Sequence, residues 1–296
     1  MDEGPQYVLH YNLDAPDFSL YTRKLTEISG MSWYGNNSII VTQQLIGLIY
    51  VLDLEKGKII AQHKIPSKGI NQGLTAYGDQ SFVIKSNGII YGKKYMDSDD
   101  PKTIKRYTYL HPQSKVGGMT FDYQNFRLLI ATNTRMKDGL DDKKNKVIYE
   151  LHAERRRDSA QVAYIIDTRQ LADPNSSKKA TNMAFGSFNV PKNKQKGTDF
   201  SPSSIAIHPY SRDIYVMSAK TNELVVLDDE SGEIVHVEKL NPEIFISSKG
   251  MTFDPNGNLY IATLHHNGFV PKILTFRYRG PKEASHDSDT GSVNDL

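Results

Sequence analysis

The chain has 296 residues, long for one compact unit, with no cysteine and a formal net charge of +2. No disulfide, thiolate nucleophile or Cys-ligated zinc is open to it, and a charge this small and spread out argues against a nucleic-acid partner. No apolar run approaches the roughly 18 residues that a spanning helix needs, and the opening Met1-Asp2-Glu3-Gly4 is polar rather than a signal-peptide core.

In chain order, residues 1–6 read as a loose end, Tyr7–Leu13 as a strand and Asp14–Lys24 as a connector. A pattern then starts that the chain writes five times. It runs ISGMSWYGNNSIIVT from Ile28, NQGLTAYGDQSFVIK from Asn71, VGGMTFDYQNFRLLIAT from Val116, PSSIAIHPYSRDIYVMS from Pro202 and SKGMTFDPNGNLYIAT from Ser248. Each copy has a small leading residue (Gly30, Gly73, Gly118, Ser204, Gly250), an apolar neighbour, a strand, a tight turn and a second strand. In the last copy the turn is Asp254-Pro255-Asn256-Gly257-Asn258, where Pro presets one φ and Asn-Gly accepts a positive one.

The leading residues are spaced by 43, 45, 86 and 46 positions. A period in the forties with several strands per repeat and no helical period is the signature of propeller blades. Two further strands follow each copy, as Leu48–Leu54 and Ile59–Ile65 do in the first, giving four per blade. The 86-residue interval holds Val147–His152 and Gln161–Asp167 as third and fourth strands and no second leading motif, so it reads as one blade with two long insertions. Five blades are expected, with six as the alternative. The last blade lacks a strand after Lys272–Tyr278, and Tyr7–Leu13 is expected to supply it, closing the ring and removing two sheet edges. The prediction is an all-β propeller over residues 7–278, followed by a polar, disordered tail, 279–296.

The order of these motifs, with the lead-in LTEISGMSWYG at Leu25–Gly35, Pro-Ser-Ser-Ile-Ala-Ile-His-Pro and Asp-Pro-Asn-Gly-Asn-Leu-Tyr-Ile, resembles the SdiA-regulated family of bacterial propeller proteins over roughly Tyr7 to Tyr278. The resemblance implies a propeller exported to the bacterial envelope or periplasm, with no established enzymatic activity. Members often carry Glu just before the leading Gly, at the central channel. Here those positions are Ser29, Gln72, Gly117, Ser203 and Lys249, with no carboxylate among them. A lysine there repels a cation, so neither a metal nor another cofactor is expected.

Other chemistry is thinly supported. Asp138, Asp141 and Asp142 lack the spacing of a calcium loop and sit among four lysines. His265 and His266 are adjacent on a strand and point to opposite faces. His208 precedes a Pro in a turn and reads as structural, and Asp122 and Asp254 read as turn formers. Trp33 alternates with Met31 and reads as core, and Arg155–Arg157 as a solvated strand end. There is no H-E-x-x-H and no G-x-S-x-G. What remains is one channel mouth carrying Gln72, Lys85, Arg135, Lys220, Lys249 and His265, a basic, amide-rich set suited to an anionic or glycan-like ligand. The expectation is a monomeric binding or scaffold propeller that takes such a ligand, or a protein, at that mouth. A metal-dependent hydrolase of lactonase or phytase type is the alternative.

Overall fold

The computed structural model describes residues 7–22, 24–66, 68–94, 102–110, 114–133, 144–153, 159–172, 197–264 and 270–281. They form five four-stranded antiparallel sheets. The first blade is β2 (Ile28–Gly35), β3 (Ser38–Gln43), β4 (Leu48–Asp53) and β5 (Lys58–Lys64). The second is β6 (Asn71–Tyr77), β7 (Gln80–Lys85), β8 (Ile89–Lys94) and β9 (Lys102–Tyr107). The third is β10 (Val116–Asp122), β11 (Arg127–Thr132), β12 (Asn145–His152) and β13 (Gln161–Asp167), followed by a 3-10 turn at Gln170–Ala172. The fourth is β14 (Ser204–Ile207), β15 (Ile214–Ser218), β16 (Glu223–Leu227) and β17 (Ile234–Lys239). The fifth is β18 (Met251–Phe253), β19 (Leu259–Ala262) and β20 (Lys272–Phe276), completed by β1 (Phe18–Tyr21).

Five blades and a strand from the start of the chain closing the last one agree with the sequence, but the closing strand is not Tyr7–Leu13. It is Phe18–Tyr21, paired antiparallel with β20 from Phe18 opposite Thr275 to Tyr21 opposite Lys272. The alternating Tyr7, Leu9, Tyr11 and Leu13 instead pack as an extended plug against the cluster between the fourth and fifth blades. The Tyr7 hydroxyl donates to Asp213 at 3.0 Å and the Tyr11 hydroxyl to the Gly257 carbonyl at 2.5 Å. An alternating run buries one face, and a loop running across a blade junction satisfies that pattern as well as a strand does.

Innermost strands β2, β6, β10, β14 and β18 neighbour one another in a ring. An apolar cluster fills each of the five junctions between blades. The leading glycines make the ring tight. A Cβ on Gly73 would stand 2.6 Å from the Met119 amide nitrogen, and one on Gly30 would collide with the Leu74 amide. Only backbone fits where adjacent inner strands approach this closely. The innermost strands begin at one face of the ring, here the leading face, and end in hairpins at the other, the hairpin face.

Candidate functional site in the axial channel

Two residues past each leading position stand Ser32, Thr75, Thr120, Ala206 and Thr252, four hydroxyls and one alanine at equivalent places. Two of them latch blades together. Ser32 Oγ accepts the Ala76 amide at 3.1 Å, and Thr252 Oγ1 accepts the Trp33 amide at 3.0 Å. In both cases the hydroxyl reaches the third residue past the next blade's leading position. Among the described residues, Thr75 and Thr120 make no such bond.

Thr75 and Thr120 line an axial cavity of about 320 Å³ near the hairpin face. All five blades contribute to it, with apolar walls from Trp33, Phe121, Ile207 and Phe253 and polar groups from Ser32, Thr252, Arg212 and Asp254. Its volume is at the lower end of small-ligand sites, about 300–1,000 Å³. Trp33 is half-buried, packs its ring 6.0 Å from Tyr260 and also borders this cavity. Tyr123 stands 61 % exposed at the rim, its hydroxyl donating to the Ala76 carbonyl at 3.0 Å.

His208 forms part of the wall. Its Nδ1 accepts the amides of Ser211 at 3.1 Å and Tyr210 at 3.3 Å, which assigns the proton of the neutral ring to Nε2. Burial, helped by nearby His10, lowers its pKa to about 4, so the ring is neutral at pH 7. Tyr278, Phe253, Tyr210 and Tyr215 surround it at ring separations of 4.8, 5.2, 5.7 and 6.1 Å. Its Nε2 is buried without a hydrogen-bond partner. The turn role expected of His208 is present, and an unspent donor comes with it.

Beside the channel, the third and fourth blades frame a polar cleft of about 1240 Å³. At its base the buried Asp122 takes Arg127 Nε at 2.8 Å on one oxygen and Arg212 Nη2 at 2.6 Å on the other. Arg127 also reaches Glu150 at 2.6 Å and the Tyr164 hydroxyl at 2.8 Å, while Arg212 reaches Asp229 at 3.1 Å. Burial alone would raise the Asp122 pKa, but the bonds from Asn125, Arg127 and Arg212 outweigh it and hold the carboxyl below its usual value. Burial pushes the Tyr164 hydroxyl up to about 12. Each charge here is answered by another, which suits a clamp between blades. Asp254, by contrast, serves its own hairpin, accepting from the amides of Asn256 at 2.9 Å and Asn258 at 2.8 Å.

Of the residues expected to bind ligand, Gln72, Lys85, Lys220 and Lys249 lie at the opposite, leading face. Arg135 and His265 are outside the described residues, as are the Asp138–Asp142 and Arg155–Arg157 stretches and most of the 279–296 tail. Gln72 is half-buried at the start of β6, and exposed Lys220 pairs with Asp199 at 3.2 Å. Lys249 is half-buried, its pKa lowered by desolvation against the opposing pull of Glu27. Lys85 is a structural clamp: it is 1 % exposed, and its ammonium donates to Asn71 Oδ1 at 2.5 Å and to the carbonyls of Pro66 at 2.8 Å and Gly69 at 3.4 Å. All three of its donors are thereby used inside the protein. Among the described residues no three His, Asp or Glu side chains converge as a metal site. The cavity residues Thr75, Thr120 and His208 were not singled out as binding groups from the sequence, although the recurrent hydroxyl two places after the small residue was there to be read.

No family model matches the sequence, and neither does any curated protein. Among solved structures, the chain is similar to the crystal structure of glutaminyl cyclase from Myxococcus xanthus. The TM-score is 0.56 at 12 % identity, over 89 % of this chain and 95 % of that one. The likeness is one of fold. A weaker likeness, TM-score 0.48 at 14 % identity, is to a nidogen/laminin complex, covering 80 % of this chain and 72 % of that one.

Proposed function

We propose that this propeller is a binding protein whose ligand is a small, hydroxyl-rich molecule, sugar-like in chemistry, held in the axial cavity near the hairpin face. One observation carries the reading: the cavity offers polar atoms that the fold does not use, the hydroxyls of Thr75 and Thr120, between aromatic walls. Hydroxyl groups of a ligand both donate and accept, so threonine hydroxyls serve them without a charge to desolvate. Aromatic faces cover the apolar side of such a ring. The ligand class agrees with the glycan-like expectation from sequence, but the site moves to the other end of the channel. The motif resemblance to the SdiA-regulated family supports a role in the bacterial envelope, and the reading is of binding rather than catalysis.

The test is a thermal-shift and calorimetric titration with monosaccharides, amino sugars and polyols, on the wild type and on the Thr75→Val/Thr120→Val double variant. A one-to-one shift that the double variant loses is expected. A shift that the variant keeps, or none from any of these compounds, would overturn the reading. A divalent-ion shift reversed by chelator in its place would favour the hydrolase.

A further inference from the structure

The leading face carries a second pattern, independent of the axial cavity. Across the fifth, first and second blades it exposes Tyr21 (59 %), Val270 (40 %), Leu45 (66 %), Ile46 (40 %) and Ile70 (39 %). These lie at strand ends and loop tips. Leu45 and Ile46 cap the β3–β4 loop, Ile70 precedes β6, Val270 precedes β20, and Tyr21 ends β1. Between them stand Lys24, Lys64, Lys68 and Lys272, with Glu27 as the acidic neighbour.

The tips are not loose. Asn71 Nδ2 shares its two hydrogens among Thr42 Oγ1 at 3.0 Å, the Gln43 carbonyl at 2.6 Å and the Ile46 carbonyl at 2.9 Å, and the Asn71 backbone amide donates to the Gln44 carbonyl at 2.8 Å. Lys85 ties the Pro66–Gly69 loop to the same Asn71 side chain. The Ile65 amide donates to Gly47, and Ser86 donates to Ile70. In the fifth blade Thr22 donates to Pro271, and Lys272 lies 5.3 Å over the Tyr21 ring. The aliphatic tips therefore have no route into the core, and water is their neighbour until something covers them.

We propose that this arc of the leading face docks on an anionic lipid surface. The composition is that of a membrane interface: aliphatic tips to enter the headgroup region, a tyrosine with an apolar body and polar end at its level, and lysines for anionic headgroups. The tips come from separate loops and strand ends of three blades, which suits a deformable surface better than a rigid partner of matching shape. Charge orients the approach, since the hairpin end of the fourth blade carries Asp228, Glu230 and Glu233. Docked this way, the protein presents its axial cavity away from the membrane.

The experiment is co-sedimentation of the full chain with vesicles of phosphatidylcholine alone and of phosphatidylcholine mixed with phosphatidylglycerol, at low and physiological salt. Binding to the anionic vesicles only, weakened by salt, is expected. Leu45→Asp/Ile46→Asp and Lys64→Glu/Lys68→Glu should each reduce it by about tenfold or more. Unchanged melting of both variants in solution confirms that the fold is intact. No sedimentation with pure lipid overturns the proposal, and so does sedimentation that the Asp pair leaves untouched. Binding only to native membranes that still carry their proteins also overturns it, in favour of a protein partner.

Discussion

The carboxylate of Asp122, at the end of β10, and the guanidinium of Arg212, in the β14–β15 hairpin, meet at 2.6 Å across the junction of the third and fourth blades. Asp122 is fully buried, and its other oxygen holds Arg127. Asp122→Ala would leave two guanidinium groups short of a partner. A loss of about 3 kcal/mol is expected, read as a lower urea midpoint with an unchanged slope. Because the folded carboxyl has a lowered pKa, its contribution is complete above the ordinary value of 3.8 and is lost as pH falls through the folded value.

The inner ring makes a prediction about size. Gly73→Ala places a methyl group 2.6 Å from the Met119 amide nitrogen, against backbone that cannot step aside. A cost of about 2–3 kcal/mol is expected. The fourth blade already carries a side chain at this position, so Ser204→Ala should cost under about 1 kcal/mol. Equal costs at the two positions, in parallel denaturation curves, would contradict the packing account.

His208 gives a pH dependence. Its folded pKa of about 4 lies below the ordinary 6.5, so the unfolded chain takes up the proton first. Stability from this group is complete above about pH 6.5, falls as pH drops towards 4 and is flat below that, for a total on the order of 3 kcal/mol. His208→Phe should flatten this limb of the stability curve. Imidazole resonances followed by NMR would give the folded value directly, and a value near 6.5 would refute the assignment.

Lys85 predicts a loss without any ligand. Lys85→Met keeps the length of the side chain but strands the Pro66 and Gly69 carbonyls and the Asn71 side-chain oxygen. About 2 kcal/mol of stability should go, and hydrogen exchange should quicken at the Asn71 and Ser86 amides.

The case of Lys85 shows what the sequence makes legible and what it hides. The blades were readable because the leading small residue recurs at a fixed place and the turns between strands carry their own chemistry, as Gly257 does with φ at 80°. The closing strand was harder to see. Phe18–Tyr21 is only four residues long and largely exposed, with Leu20 alone packed against a core cluster, whereas Tyr7–Leu13 shows a longer alternation because it plugs a junction. Lys85 reads as a rim cation because a lysine at a strand end is ordinarily solvated, and only the fold shows three acceptors turned towards it. The Asp122–Arg212 pair, 90 positions apart, has no local signature at all.

The position of β1 in the ring has a consequence for synthesis. Its pairing partner, β20, lies more than 250 residues downstream, so the fifth sheet cannot be completed until Phe276 has left the ribosome. Four blades can form as they emerge, but Phe18–Tyr21 and the apolar Tyr7–Leu13 segment must wait in the open for the rest of the chain. A chaperone that shields residues 7–21 would serve this protein until the ring shuts.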